Sequence, residues 1–377
     1  MFDFHPPHLV FGENTAQRLG ELARELGFGR TLLVADRGIV GTGHIDHAEA
    51  SLSAAGISTQ RFHDFESNPT CEMVEAGRTF AAPLAIDSLV AFGGGSSLDQ
   101  AKGINFLLTN GGRMQDYRGY GLAKQPMLPM IAVPTTAGTG SEVQSYALIL
   151  DSKTHAKMAC GDPKAAFRVA ILDPVLTVTQ PRGVTAASGY DAIAHAVETA
   201  VTKRRNLLST LFSREAWRLL APNFPRVLKR ADDLDARGAM QLGACYAGLA
   251  IDASMLGAAH ACANPLTARY GTTHGLALSA VLPSVVEWNG VEVGETYAEM
   301  MRGIGVLCSS RDSARALADR LRAFAAEAEL PVRLRDVGAQ EEDLPALAAA
   351  AATEWTGTFN PRAFDAAGAL EIYAAAF

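Results

Sequence analysis

The stretch SLVAFGGGSSLDQAK at 88–102 constrains the fold more than any other part of this sequence. An apolar run typical of a buried strand ends in three glycines, and a helical pattern follows directly. Glycine lets the backbone turn sharply and approach a ligand closely. Because the free N–H groups at a helix start favour an anion, we expect a pyrophosphate over Gly94, Gly95 and Ser96. The alternative is a plain tight turn, since the stretch is neither G-x-G-x-x-G nor a P-loop.

Strand-like and helix-like runs alternate through the first half of the chain. The predicted strands are 30–36, 58–65, 88–95 and 130–136, and the predicted helices are 15–28, 44–56, 70–82 and 97–109. This alternation predicts an α/β domain with a doubly wound, mainly parallel sheet.

The composition and periodicity of the sequence change after Asp173-Pro174, where nearly every segment becomes rich in Ala and Leu with helical spacing. A chain of 377 residues is also too long for one ordinary core. We therefore predict an α/β domain over 1–176 and an all-helical domain over 177–377.

Two further polar features point to the same nucleotide crevice. The loop PTTAGTGSE at 134–142 follows a predicted strand, and its Thr135, Thr136 and Thr139 hydroxyls are placed to line the carboxyl ends of the strands. Asp36 ends another strand, where a carboxylate accepts hydrogen bonds from ribose hydroxyls and repels a 2′-phosphate. The alternatives are an ordinary turn for the loop and a helix N-cap for Asp36.

Composition limits the classes of partner and the compartment. The net charge is −7, from 33 basic and 40 acidic residues, which argues against nucleic acid or an acidic membrane surface. The five cysteines are scattered without a CxxC pair, as in a reduced cytoplasmic protein. The N-terminal MFDFHPPHLVFG does not resemble a signal peptide. The apolar segment 240–263 carries Asp252 and His260, so we expect one buried helix there and not a membrane span.

Four residues in the second half form a candidate metal site. Asp191 and His195 are four residues apart, so in a helix both side chains lie on one face. His260 is expected to end a helix of small residues, and His274 follows a Gly-Thr-Thr turn. One carboxylate and three imidazoles suit a divalent first-row metal and leave positions open for substrate. The alternative is that these are ordinary core or surface side chains.

Taken together, these pieces resemble the iron-containing (group III) alcohol dehydrogenase family, and the resemblance covers nearly the whole chain. The matching motifs are FGENTAQRLGELA, SNPT at 67–70, GGGSSLDQAK, VPTTAGTGSEV, LDP at 172–174, GYDAIAHAVE, GAAHACANPL with TTHG, and FNPRAFDAAGALEIYAAAF.

The resemblance implies reversible NAD(P)-linked oxidation of a small primary alcohol or reduction of an aldehyde, and an architecture shared with dehydroquinate synthase. It also implies that the α/β domain over 1–176 binds the dinucleotide and that the all-helical domain over 177–377 binds the metal. It implies that Fe²⁺ is bound by Asp191, His195, His260 and His274, although this ligand set suits Zn²⁺ equally. The implied cofactor contacts are Asp36, Asn68, Gly94, Gly95, Ser96, Ser97, Asp99, Thr135, Thr136, Thr139 and Lys157. It favours NAD over NADP because of Asp36, and it suggests a homodimer.

One position departs from the family pattern. Asn264 stands where members usually carry a second His, four residues after His260 and near the nicotinamide and the substrate. Asn donates and accepts hydrogen bonds but takes no proton near neutral pH. We therefore count Asn264 with His260 and His274 as candidate catalytic residues, with the proton relay and substrate preference in question.

The expected mechanism has the metal polarise the substrate oxygen while hydride passes between the carbinol carbon and the nicotinamide. Arg269 faces either the pocket, where it would favour a substrate with an anionic tail, or the solvent. His155 is expected in a loop near the cofactor. The alternative function is an NAD- and metal-dependent lyase like dehydroquinate synthase, and a non-catalytic nucleotide-binding protein is a third.

Overall fold

The computed structural model describes residues 4–153 and 156–377. His155 and the first three residues of the N-terminal segment therefore lie outside the described residues. The chain divides into two compact units. The first unit is Met1–Thr136 with Gly140–Gln180, and the second is Ala137–Thr139 with Pro181–Phe377.

The first unit contains nine strands, counted over its described residues. They are β1 (His8–Phe11), β2 (Arg30–Val34), β3 (Ser58–Phe62), β4 (Ser88–Gly93), β5 (Gly119–Tyr120), β6 (Met130–Pro134), β7 (Tyr146–Asp151), β8 (Ala156–Gly161) and β9 (Val169–Leu172). Six of them form a parallel sheet in the order β1-β9-β6-β4-β2-β3. The predicted α/β fold is confirmed.

The helices of this unit are α1 (Leu19–Glu25), α2 (Arg37–Val40), α3 (His44–Ala54), α4 (Cys71–Ala81) and α5 (Gly95–Asn110). They cover both faces of the parallel sheet. Leu33 and Val90 pack in one core cluster with residues of α1 and α3, whereas Leu32 and Leu89 pack in another with α4 and α5. Because successive side chains of a strand point to opposite faces, strands covered on both sides read as continuous apolar runs.

A second, three-stranded sheet was not predicted. It has the order β5-β8-β7, and β7 and β8 are antiparallel over six paired positions from Tyr146↔Gly161 to Asp151↔Ala156. The β8 sequence AKMACG contains few residues that favour strands, so pattern alone gives no strand there.

The strand order locates the crevice of the first unit. β2 pairs with β3 on one side and with β4 on the other. The order in which successive strands are added to the sheet therefore reverses between β2 and β4. Ligands of open α/β sheets bind outside the carboxyl ends of the strands at such a reversal. Asp36 follows β2 and Gly94 follows β4, so both lie at this point.

The second unit is helical. Its helices are α6 (Arg182–Val201), α7 (Leu207–Lys229), α8 (Leu234–Ala253), α9 (Ala258–Tyr270), α10 (His274–Gly303), α11 (Ser313–Glu327), α12 (Leu344–Ala351) and α13 (Ala366–Ala376). Its core includes Trp217, Phe224 and Phe324, whose rings pack edge to face. No strand occurs in 181–377, all of which is described, so the predicted all-helical part is confirmed.

The prediction of one helix over 240–263 is wrong. α8 ends at Ala253 and α9 begins at Ala258, with Met255 between them at a φ of +136°. His260 therefore lies in the first turn of a helix and not at its end. Among the described residues, no single helix is long and apolar enough to span a membrane, and the α8–α9 pair meets that criterion only jointly, with a bend of 104°.

Candidate active site

The four predicted metal ligands lie together in the helical unit. Oδ1 of Asp191 is 3.3 Å from Nε2 of His195, 3.6 Å from Nε2 of His260 and 3.9 Å from Nε2 of His274. The rings of His195 and His260 are stacked with their centroids 4.9 Å apart. Three imidazole nitrogens therefore lie within 3.9 Å of one carboxylate oxygen.

Local structure explains why these residues meet. Asp191 and His195 are one turn apart on α6, as their spacing predicted. His260 lies in the first turn of α9, and His274 is the first residue of α10. α10 approaches α6 very closely, because a Cβ on Gly275 would be 2.2 Å from the carbonyl oxygen of Ala187.

The polar atoms of this cluster are spaced for binding a metal ion and not for hydrogen bonds among themselves. Among the described residues, Oδ1 of Asp191 and Nε2 of His260 are buried side-chain atoms without a hydrogen-bond partner. Such atoms are costly unless a ligand, ion or water satisfies them. Ligand bonds of about 2.1 Å in a tetrahedral site place ligand atoms roughly 3.4 Å apart. The observed spacing matches that arrangement, and Asp191, His195 and His260 satisfy the geometry of a metal-binding group.

The four predicted ligands differ in their exposure. The side chains of His195 and His260 are each 6% exposed and that of Asp191 is 9% exposed, whereas that of His274 is 19% exposed. The site is therefore closed on the α6 and α9 sides and most accessible beside His274.

The electrostatics of the cluster favour an ionised carboxylate and a neutral His195. Burial opposes the charge of Asp191, but the neighbouring His195, His260 and His274 outweigh it and hold the pKa of that carboxyl below its usual range. Burial lowers the pKa of His195 to about 4, against the opposing effect of Asp191. A neutral imidazole and a carboxylate are the forms that bind metals.

Sequence reasoning missed one residue of this cluster. Glu198 is buried on α6, one turn beyond His195, and its Oε2 is hydrogen-bonded to Nδ1 of His260. Its Oε1 accepts a 2.7 Å hydrogen bond from the backbone N–H of Ala259. Burial would lower the pKa of His260, but Glu198 and Asp191 outweigh it and raise that pKa. The spacing of Asp191, His195 and Glu198 along one helical face was the available signal.

Two other predicted positions, Asn264 and Arg269, lie on α9. Asn264 lies one turn after His260 on α9, and its Nδ2 donates a 2.8 Å hydrogen bond to Oε2 of Glu354. Arg269 is half exposed, forms an ion pair with Asp343 and lies over the Tyr270 ring. These contacts favour the solvent-facing alternative for Arg269.

The first unit brings the glycine turn and the hydroxyl loop together. Gly94 is the N-cap of α5, and Gly95 is its first residue. The backbone N–H of Thr135 donates a 3.0 Å hydrogen bond to the carbonyl of Gly93, and a Cβ on Gly94 would lie 3.2 Å from the Thr136 methyl group. The backbone N–H of Ser97 donates to the carbonyl of Gly94, whereas the amides of Gly95 and Ser96 precede the first bond of the helix and are available to an anion.

Two serines connect this turn to the other predicted cofactor residues. Ser97 donates a 3.0 Å hydrogen bond from Oγ to Oδ2 of Asp36, and Oγ of Ser96 accepts one of 3.1 Å from the backbone N–H of Asn68. Asp36 is also the N-cap of α2, since its Oδ1 accepts from the amides of Gly38 and Ile39. The N-cap alternative is therefore observed, in a residue that also borders the crevice.

Asp99 lies on α5, and Lys157 lies on β8. Asp99 is buried, and its carboxylate accepts hydrogen bonds from the Ser141 hydroxyl at 2.6 Å and from the Leu148 amide at 3.2 Å. Burial raises the pKa of Asp99, and the Lys102 and Lys157 charges oppose that shift. Both oxygens of Asp99 already have protein partners. Thr139 belongs to the other unit.

Comparison with known proteins decides the family. The model of the iron-containing alcohol dehydrogenase family matches residues 6–174, and the model of that family's C-terminal part matches residues 185–377. The chain belongs to the iron-containing alcohol dehydrogenase family. It is therefore an oxidoreductase of the NAD-linked, iron-containing class that acts on alcohols or aldehydes.

Relatives within the iron-containing alcohol dehydrogenase family match over the full length. The chain is 33% identical to 1,3-propanediol dehydrogenase of Citrobacter freundii, covering 100% of this chain and 99% of that protein. It is 32% identical to NAD-dependent methanol dehydrogenase of Bacillus methanolicus, over 95% of each chain. A crystal structure of 1,3-propanediol oxidoreductase superposes with a TM-score of 0.96 at 32% identity, over 100% of both chains. These similarities support the dehydrogenase prediction and not the lyase alternative.

Proposed function

We propose that this protein catalyses the reversible NAD-linked interconversion of a small primary alcohol and its aldehyde, with Fe²⁺ bound by Asp191, His195, His260 and His274. The observation that carries the proposal is the convergence of three Nε2 atoms on Oδ1 of Asp191 at 3.3–3.9 Å. Zn²⁺ suits the same ligand set and is the alternative ion.

The protein side chains perform the binding and orienting steps. Asp191 and His195 would hold the ion from α6, and His260 and His274 would hold it from α9 and α10. When bound, the ion supplies Lewis acidity toward the substrate oxygen, which favours both alkoxide formation and attack on the aldehyde carbonyl. The greater exposure of His274 makes its side of the site the entry for substrate.

All the assigned cofactor contacts except Thr139 belong to the first unit. The backbone amides of Gly94, Gly95 and Ser96 at the start of α5 bind the pyrophosphate, and Asp36 binds the adenosine ribose and selects NAD over NADP. Support comes from the position of Asp36 after β2 and of Gly94 after β4, where the strand order reverses. In this proposal, 1–176 bind the dinucleotide and 177–377 bind the metal. The remaining assigned contacts are Asn68, Ser97, Asp99, Thr135, Thr136, Thr139 and Lys157.

The substrate is proposed to be small and uncharged. Methanol and 1,3-propanediol name the activities of two relatives. Arg269, the nearest candidate for binding an anionic tail, forms an ion pair with Asp343. Asn264 presents an amide held by Glu354, which suits hydrogen bonding to a substrate hydroxyl.

The location, the oligomeric state and the partners complete the proposal. We place the enzyme in the cytoplasm as a homodimer, with no nucleic acid or membrane partner. The acidic balance and the scattered cysteines support this placement. Sedimentation equilibrium of the purified protein tests the dimer, and cell fractionation tests the location.

An oxidation assay tests the proposed reaction. NADH or NADPH oxidation is followed anaerobically with Fe²⁺-loaded protein and a panel of C1–C4 aldehydes, with and without a hydroxyl or carboxylate group. We expect turnover of small neutral aldehydes with NADH, and little with NADPH or with carboxylate-bearing aldehydes. Failure to turn over any aldehyde, or the corresponding alcohols with NAD, would refute the dehydrogenase assignment.

A further inference from the structure

Among the described residues, Glu198 is a buried carboxylate beside the metal cluster to which the proposed mechanism assigns no role. It lies on the same face of α6 as Asp191 and His195, at positions i, i+4 and i+7. Its residue is only 4% exposed, and it is not placed to contact the convergence point, because both its oxygens have other partners. A buried carboxylate that is not a ligand needs strong compensation to remain charged.

Each oxygen of Glu198 has a defined partner on α9. Oε1 accepts from the backbone N–H of Ala259 at 2.7 Å, in the first turn of the helix, where the free amides and the dipole favour an anion. Oε2 accepts from Nδ1 of His260. Glu198 therefore anchors the helix start and the ring of its first-turn histidine with one carboxylate.

This contact fixes the tautomer of His260. A carboxylate only accepts hydrogen bonds, so the proton of a neutral His260 must reside on Nδ1. The lone pair is then on Nε2, the atom that faces Asp191 at 3.6 Å and has no hydrogen-bond partner. Metal-binding histidines commonly donate their second N–H to a carboxylate, which orients the ring and increases its basicity.

We propose that Glu198 is a positioning residue that sets metal affinity by holding His260 in the Nδ1–H tautomer with Nε2 aimed at the ion. This inference rests on the proposed metal site. It assigns to Glu198 a function that acts through His260 and not through contact with the metal or substrate.

The substitution Glu198→Gln isolates this role. Glutamine has the same shape but only one acceptor oxygen. If that oxygen keeps the Ala259 N–H, the amide NH₂ group faces Nδ1 of His260 and drives the ring proton to Nε2. The helix anchor is then retained while the metal-binding tautomer is lost.

The matched control is Asp365→Asn. Asp365 also accepts a hydrogen bond from a helix N-terminal amide in the same unit, that of Gly368 on α13, through a carboxylate. Among the described residues, Asp365 has no hydrogen bond or ion pair with a histidine. The control therefore repeats the loss of a capping carboxylate without the tautomer effect.

The test measures metal affinity and not turnover. Metal-stripped parent, Glu198→Gln, Asp365→Asn and His195→Ala proteins are titrated with Zn²⁺ against a chromophoric chelator, after circular dichroism confirms folding. We expect the Kd for Zn²⁺ to rise about 10- to 100-fold in Glu198→Gln, as is typical when such a carboxylate is lost, and to stay within twofold of the parent in Asp365→Asn.

The possible outcomes separate the two proposals. If His195→Ala loses Zn²⁺ but Glu198→Gln binds as tightly as the parent, the metal site stands and the role of Glu198 is overturned. If neither variant changes the affinity, the metal site itself is refuted. Should Glu198→Gln fail to fold, ¹⁵N-histidine NMR of the Zn²⁺-loaded parent decides instead. A protected Nδ1–H of His260 supports the proposal, and a proton absent from that atom overturns it.

Discussion

Gly275 lies so close to Ala187 that a Cβ on the glycine would be 2.2 Å from the alanine carbonyl oxygen and 2.7 Å from its carbonyl carbon. The contact is between backbones, so no flexible side chain can move aside to relieve it. It sets the distance between α6, which supplies Asp191, and the start of α10, which supplies His274.

We expect Gly275→Ala to displace His274 from Asp191, because the added methyl group must push the two helices apart. Overpacking of this kind costs on the order of 1–3 kcal/mol, and Zn²⁺ affinity should fall as well. Gly303→Ala is the control, since it lies at the end of the same helix with open space around it. Chemical denaturation and Zn²⁺ titration measure both effects, and equal behaviour of the two variants would contradict the expected role of Gly275.

Asp36 is expected to control the choice between NAD and NADP. Asp36→Asn keeps one oxygen to cap α2 and places its amide nitrogen toward the Ser97 hydroxyl, but it removes the charge that repels a 2′-phosphate. The ratio of kcat/KM for NADPH to that for NADH should rise at least about tenfold, equivalent to about 1.4 kcal/mol. Asp87→Asn, which also removes a carboxylate that accepts two backbone amides, should leave the ratio unchanged.

Glu142 makes the stability of the first unit depend on pH. It is buried, and burial raises its pKa to about 7 from an ordinary value of 4.5, against the opposing Lys102 charge. The folded state therefore binds this proton more tightly than the unfolded state. Its stabilising contribution is complete below about pH 4.5 and is lost as pH rises through 7.

Glu142→Gln should remove this dependence. At pH 8.5 we expect the variant to be more stable than the parent by up to about 3 kcal/mol, and at pH 4.5 we expect little difference. Denaturant unfolding at both pH values measures the change, with the exposed Glu13→Gln as a control. A stability difference that does not vary with pH would refute the assignment.

Asn264→His should add a titrating group to the pH profile of kcat/KM. Asparagine takes no proton near neutral pH, whereas an imidazole beside the Glu354 carboxylate has a pKa above its ordinary value of about 6.5. We expect a new inflection between about pH 6.5 and 8. Asn264→Gln, which keeps an amide, should give the parent profile, and superimposable profiles for both variants would remove Asn264 from the catalytic residues.

Local patterns predicted the elements that depend on nearby residues. The β4–glycine–α5 stretch has an apolar strand, permissive glycines and a helical run in immediate succession, so its geometry is encoded locally. The spacing of Asp191 and His195 likewise needs only a helix. Both were predictable because no distant residue is required to form them.

The predictions that failed concern features that depend on residues distant in the sequence. The break between α8 and α9 interrupts a segment of uniform Ala and Gly composition, and the strained Met255 conformation is imposed by its surroundings. The position of Glu198 on the ligand face of α6 was readable, but its partner His260 comes from another helix. Asp36 fitted both an N-cap and a cofactor contact, and the pattern alone could not separate them.

The most direct test of the central claim is an anaerobic titration of metal-stripped protein with Fe²⁺, followed by NADH oxidation with a small neutral aldehyde. Activity should be absent without metal and should increase until one Fe²⁺ is bound per chain. The His260→Ala variant should stay inactive at the same Fe²⁺ concentrations. Full turnover by the stripped protein in the presence of a chelator, or full activity of His260→Ala, would contradict a metal-dependent reaction at Asp191, His195, His260 and His274.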